Sequence, residues 1–133
     1  MTQPDAPVRL ILDTSALLAY VGLSVDAGEV LHEIMTDPGA RFGVPPVVAA
    51  RAMSVLWDDD DRARLRDLLD HESCASIELV SSDWMELAWW DVVTGSDDRG
   101  ACALASIRLA APILSAEGHL YAHDDLLVID LPR

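Results

Sequence analysis

The stretch Val8–Tyr20, VRLILDTSALLAY, constrains this chain more than any other. A short apolar run, Val8 to Leu12, ends on a carboxylate, Asp13, and two small hydroxyl residues follow, Thr14 and Ser15. From there Ala16, Leu17, Leu18 and Tyr20 continue as a helix would. An apolar run, an acid and then a helix is the pattern of a buried strand opening into a helix. In open α/β sheets, ligands bind beyond the carboxyl ends of the strands, which is where Asp13 stands. A second role is open to the same carboxylate, that of an N-cap accepting the first free N–H groups of the helix.

The rest of the chain repeats this alternation. Val25–Met35 carries apolar residues at helical spacing, and Asp37-Pro38-Gly39 turns the chain after it. Arg41 to Val44 reads as a second strand, and Pro45-Pro46 suits the first turn of a helix running from Val47 to Trp57. The acid run Asp58–Asp61 opens a helix over Arg62–Asp70, with acids at its start and arginines further in, as the helix dipole favours. Ser76–Val80 is a third strand, and Ser81-Ser82-Asp83 with Glu86 is a cap with a capping-box glutamate. The helix beyond carries Trp84, Trp89 and Trp90 among many large apolar groups, more than one buried stripe accommodates. After Gly95-Ser96, the pair Asp97-Asp98 opens a helix of small residues over Arg99–Leu109. Ile113-Leu114 is a short strand closing on Ser115-Ala116-Glu117-Gly118, and Leu126 to Leu131 is the last strand. Strands alternating with helices point to a three-layer α/β domain with a mainly parallel sheet and helices on both faces.

A length of 133 residues suits one domain over 1–133, with 1–7 expected as a flexible N-terminal tail. With 51% hydrophobic residues, intrinsic disorder is excluded as the general state. No apolar run is long enough to span a membrane, and the opening MTQPDAPVR lacks the pattern of a signal peptide, so a cytoplasmic location is expected. The two cysteines, Cys74 and Cys102, match no metal or redox spacing and read as buried thiols. Acids outnumber bases 23 to 9, a net charge of −14, and every base is an arginine. Such a surface repels nucleic acid at long range and suits a basic protein partner. RNA binding would need a metal ion or a local arginine cluster to offset that field.

Three acids occupy equivalent places: Asp13 after the first strand, Asp98 (or its neighbour Asp97) at the start of the small-residue helix, and Glu117 after the Ile113 strand. In a parallel sheet all three converge at the carboxyl edge. Converging carboxylates repel, and a hard divalent cation such as Mg²⁺ is the usual compensation. A carboxylate-held Mg²⁺ can activate water and stabilise the charge of a cleaving phosphodiester.

This ordered set, with LILDTSALLAYV, the late segment DDRGACALASIRLAAPILSAEGHLY and the closing LLVIDLP, resembles the PIN domain, the fold of toxin ribonucleases in many bacterial toxin–antitoxin pairs. The resemblance implies that Asp13, Asp98 and Glu117 are metal-binding, catalytic acids of an endoribonuclease using Mg²⁺ or Mn²⁺. It places Thr14 or Ser15 as the hydroxyl beside the first acid. It also implies an RNA substrate, an antitoxin-like protein partner and a homodimer. One departure marks the chain as a degenerate member. The family carries a glutamate on the helix after the second strand, where this chain reads VPPVVAARAMSVL, with Arg51 at the acid's place and no carboxylate from Phe42 to Trp57. Cys102 stands where a histidine is common, and Glu117 is longer than the usual aspartate. A guanidinium among carboxylates lowers their pKa values and competes with a cation for the same oxygens. The expectation is therefore a PIN-like protein with RNA cleavage weakened or lost. The alternatives are a fully active metal-dependent endoribonuclease and a non-catalytic protein-binding module. Arg51 in the cleft would pair naturally with Asp13.

Overall fold

The computed structural model describes residues 2–132. Five strands form one all-parallel sheet: β1 (Val8–Leu12), β2 (Arg41–Val44), β3 (Cys74–Ser76), β4 (Ile113–Ser115) and β5 (Val128–Asp130), in the order β3-β2-β1-β4-β5. The helices are α1 (Thr14–Val21), α2 (Val25–Met35), α3 (Pro46–Ser54), α4 (Asp59–Leu69), α5 (Trp84–Thr94) and α6 (Asp97–Leu109). Single 3₁₀ turns occupy Ser81–Asp83 and Gly118–Tyr121. The α/β class with a parallel sheet and helices in layers is as the alternation predicts.

β1 lies in the middle because its residues are the most apolar and are covered on both sides. Leu10, Ile11 and Leu12 are buried, and β1 pairs with β2 and with β4, where Leu12 faces Leu114. Each fully buried Leu or Ile contributes about 1.5–3 kcal/mol, so this strand carries a large share of the core. α6 is buried from Gly100 to Ser106, and it packs on α5, α3 and β1. Its small residues permit that approach: a Cβ at Gly100 would stand 2.9 Å from the Asp91 backbone nitrogen on α5.

Several boundaries differ from expectation. The third strand covers Cys74–Ser76 rather than Ser76–Val80, since β2 is only four residues long and pairs Phe42, Gly43 and Val44 with Cys74, Ala75 and Ser76. The last strand is Val128–Asp130, a register set by Ile113–Ser115. The helix after Pro45 ends at Ser54, short of Trp57, and the acid run lies inside α4 behind an Asp58 cap. Glu86 does not close a capping box on a serine: Asp83 accepts from the Val80 N–H at 2.8 Å, and Glu86 pairs with Arg108. The expected flexible tail 1–7 is anchored over its described part. Thr2 and Ser73 hydroxyls bond at 2.7 Å, the Gln3 N–H donates to Pro38, and Ala6 is buried. Of the three tryptophans on α5, the core takes Trp90 alone; Trp84 and Trp89 are 66% and 52% exposed. No described helix is long and apolar enough to cross a membrane.

Both helices of the α5–α6 pair end in the left-handed region, α5 on Gly95 (φ 86°) and α6 on Ala110 (φ 51°). A Cβ is disfavoured there, by about 1–2 kcal/mol. Part of that is offset by the greater entropy a glycine loses on folding. Ala110→Gly is expected to stabilise the protein by about 0.5–1 kcal/mol, read as a higher urea midpoint with an unchanged slope.

Candidate functional site

The site forms where β1 and β4 end side by side. The Asp13 N–H donates to the Leu114 carbonyl, so the first residue beyond β1 is fixed against the middle of β4. Asp13 then caps α1: its Oδ1 accepts from the Ala16 N–H at 2.8 Å and from the Ser15 hydroxyl at 2.7 Å. Its Oδ2 accepts from the Tyr121 hydroxyl at 2.9 Å. The carboxylate is buried. The N-cap role open to it in the sequence is the one the structure shows, and it is placed at the carboxyl edge of the sheet.

Asp98, in the first turn of α6, is the inward member of the adjacent acid pair. Its Oδ2 accepts from the Thr14 hydroxyl at 2.8 Å and its Oδ1 from the Ser96 hydroxyl at 2.6 Å. Burial pushes its pKa up. The bonds from Ser96 and Thr14, the nearby Arg51 charge and the Arg99 backbone outweigh that and hold the carboxyl below its ordinary range. Asp98 is therefore ionised at neutral pH. Asp97 turns outward and accepts from Arg51 Nη2 at 2.7 Å, while Arg51 Nε lies 3.9 Å from Asp98. Among the described residues, Arg51 reaches this acid pair rather than Asp13, because α3 packs against α6 and presents Arg51 to the start of that helix.

Glu117 has other partners than these two acids. Its N–H donates to the Ser115 hydroxyl at 2.9 Å, so its backbone is at the same sheet edge. Its half-exposed carboxylate faces Arg99 at 3.9 Å. With Ser15, Ala116, His119 and Leu120 it lines an open pocket of about 490 Å³. Ser15 joins the two halves, accepting from the Ala116 N–H at 2.9 Å and lying 3.2 Å from the Ser115 hydroxyl.

Three contributors are absent from the sequence expectation. Tyr121 is one; burial, then Cys102 and Asp13, push its pKa far up, so it remains a hydrogen-bond donor. Ser96, read only as a helix break, caps α6 and donates to Asp98. Asp91 is the third: its Oδ1 is buried without a hydrogen bond, and burial followed by the Asp97 and Asp98 charges raises its pKa. Cys102 is fully buried, its thiol 3.7 Å from the Leu12 carbonyl, and burial with the Asp13 and Asp98 charges keeps it protonated. It has no access to metal or solvent chemistry. The serine before a double acid was a legible N-cap signal; nothing local marks Tyr121, whose partner is 108 positions away.

Among the described residues, no three His, Cys, Asp or Glu side chains stand together in a geometry that holds a metal ion. Every oxygen of Asp13 and Asp98 already accepts from a protein donor. A divalent cation bound by three carboxylates does not fit this arrangement.

No protein-family model matches this sequence, and no curated protein matches it. Solved structures do match. A structure of VapBC2 from Rickettsia felis, bound to a DNA fragment from its promoter, superposes with a TM-score of 0.70 at 10% identity, over 92% of this chain and 98% of that one. The fold is that of a PIN domain. VapBC-1 from nontypeable Haemophilus influenzae matches at TM-score 0.63 and 13% identity, covering 92% and 97%. PAE2754 from Pyrobaculum aerophilum matches at 0.61 and 17%, covering 91% and 89%. At such identities the agreement is one of backbone path, and this PIN fold keeps its own site residues.

The Asp98 pKa, lowered by its partners, gives a signed expectation. A carboxyl whose folded pKa is depressed adds stability above its unfolded pKa, near 3.9, and loses it as pH falls through the folded value. Asp98→Asn is expected to cost about 1–3 kcal/mol at pH 7. That gap should narrow in urea titrations as pH is taken from about 5 to below 3.9. A gap independent of pH would show that the charge of Asp98 is not what its partners stabilise.

Proposed function

We propose that this chain is a PIN-fold protein of the metal-dependent endoribonuclease toxin type in which RNA cleavage is weakened or lost, and that it acts through a protein partner. The observation that carries the reading is Arg51. It stands on α3, where the resemblance expects an acid, and it pairs with Asp97 and approaches Asp98. A cation is thereby built in where a cluster of acids would otherwise attract one from solution. The charge of −14 supports the same reading, since it opposes the approach of RNA.

A fully active endoribonuclease is the second reading, favoured by one observation. Asp13 and Asp98 keep their places at the sheet edge with hydroxyl neighbours from Thr14 and Ser15, and Asp98 is ionised. On that reading Asp13, Asp98 and Glu117 would have to move together around Mg²⁺ or Mn²⁺. A cleavage assay on a fluorescent RNA with Mg²⁺ and Mn²⁺ separates the two. The expected result is no cleavage that Asp13→Asn abolishes. Cleavage by the unaltered protein that vanishes in Asp13→Asn would establish the active enzyme instead. Arg51→Ala should shift stability by less than about 1 kcal/mol, because its partner Asp97 is exposed and such pairs are worth little.

The partner we propose is an antitoxin-like protein with a basic binding segment, in a cytoplasmic setting. VapBC2 and VapBC-1 have the same backbone path, and the acidic surface of this chain complements a basic segment. Self-association is proposed through α5, where Trp84, Met85, Trp89 and Val92 are exposed along one side, Val92 at 82%. Two chains of like charge repel, and salt screens that repulsion. In sedimentation experiments the protein is expected to form a dimer that tightens with added salt, and Trp89→Asp to be monomeric. A monomer at high protein concentration in about 0.5 M salt, where the Debye length is only about 4 Å, would rule the α5 dimer out.

A further inference from the structure

We infer that Tyr121 is a positioning residue that holds Asp13 against metal binding, as Arg51 does at Asp97 and Asp98. This rests on the impaired-nuclease reading and adds a residue to it. Asp13 is buried and has two oxygens. Oδ1 is used twice, by the Ala16 N–H that starts α1 and by the Ser15 hydroxyl. Neither bond can be given up cheaply, because one is a helix cap and the other ties α1 to the end of β4 through Ala116. Oδ2 is the oxygen with acceptor capacity left for an external ligand, and the Tyr121 hydroxyl takes one of its two acceptor sites at 2.9 Å, on the side of the buried ring.

The tyrosine cannot swing aside as a surface residue would. Its ring is buried, and it ends the 3₁₀ turn Gly118–Tyr121. That turn is drawn tightly against β5: a Cβ at Gly118 would fall 1.7 Å from Asp130 Oδ1. A glycine at the front of the turn and a buried ring at its end therefore hold the hydroxyl in register with Asp13. At Asp97 and Asp98, the Arg51 guanidinium supplies the positive charge. A phenol at Asp13 and a guanidinium at Asp97 and Asp98 supply partners from within the chain.

The test is calorimetric titration with Mn²⁺ of the full-length chain in four forms: unaltered, Arg51→Glu, Tyr121→Phe and the double variant. Tyr121→Phe removes one oxygen and keeps the ring, and a thermal melt confirms that each form is folded. Asp13→Asn in each background identifies the heat that belongs to this site, as opposed to other acids such as Asp58–Asp61. The unaltered protein is expected to show no Asp13-dependent binding, and Arg51→Glu to show weak binding. The double variant should bind about tenfold or more tightly than Arg51→Glu, the scale on which neighbours of metal ligands act. Equal affinity of the double variant and Arg51→Glu overturns the role of Tyr121 while leaving the impaired-nuclease reading standing. Stoichiometric, Asp13-dependent Mn²⁺ binding by the unaltered protein overturns the inference whether or not the variants fold. RNA cleavage, measured separately on the unaltered protein, decides the reading beneath it.

Discussion

The Asp13 carboxylate is the interaction on which the rest of the arrangement depends. A buried carboxyl is costly unless its oxygens are satisfied. Here the satisfaction comes from three directions, and each bond also performs a structural task. The Ala16 N–H begins α1, the Ser15 hydroxyl reaches on to Ala116 after β4, and the Tyr121 phenol anchors the 3₁₀ turn before β5. One side chain thereby coordinates the central strand, the first helix and the far edge of the sheet. Its loss would leave three donors without an acceptor, which is more damaging than the loss of any exposed ion pair.

The same economy holds at Asp98. Thr14 follows Asp13 directly, so the residue after one acid is the donor to the other. The acids are linked through the backbone of α1 and through shared effects on the buried Cys102 thiol. Arg51 completes the pattern from outside, half-exposed and paired with the more exposed of the two adjacent acids. The site is thus built of a buried carboxyl held by neutral donors, a second kept ionised chiefly by hydroxyls, and a solvent-facing ion pair beside the second.

Much of this was legible in the sequence, and the limits have physical causes. The parallel sheet followed from apolar runs alternating with helical spacing, and Val25–Met35 and Arg41–Val44 are where their periodicity places them. Strand limits at the edges were not legible. The bounds of β3 and β5 are set by the lengths of β2 and β4, not by their own residues. The places of Asp13 and Asp98 were legible because a strand end and a double acid at a helix start are local signals. Arg51 was found as a departure, but its partner was not, since the choice between Asp13 and Asp97 depends on how α3 lies against α6. Tyr121 carried no signal, because a buried tyrosine in a short turn resembles any core aromatic.

The all-parallel order has a consequence for how the chain comes together. No two strands consecutive in sequence form a hairpin, so each pairing awaits an intervening helix or a longer return. The last bond to Asp13 comes from a residue 108 positions later. While the chain emerges from the ribosome at about 5–20 residues per second, β1 and α1 precede their remaining partners by several seconds. During that interval Asp13 can cap α1 but lacks its phenol, and β1 lacks one neighbour. The centre of the sheet is thus the first part to be made and among the last to be finished.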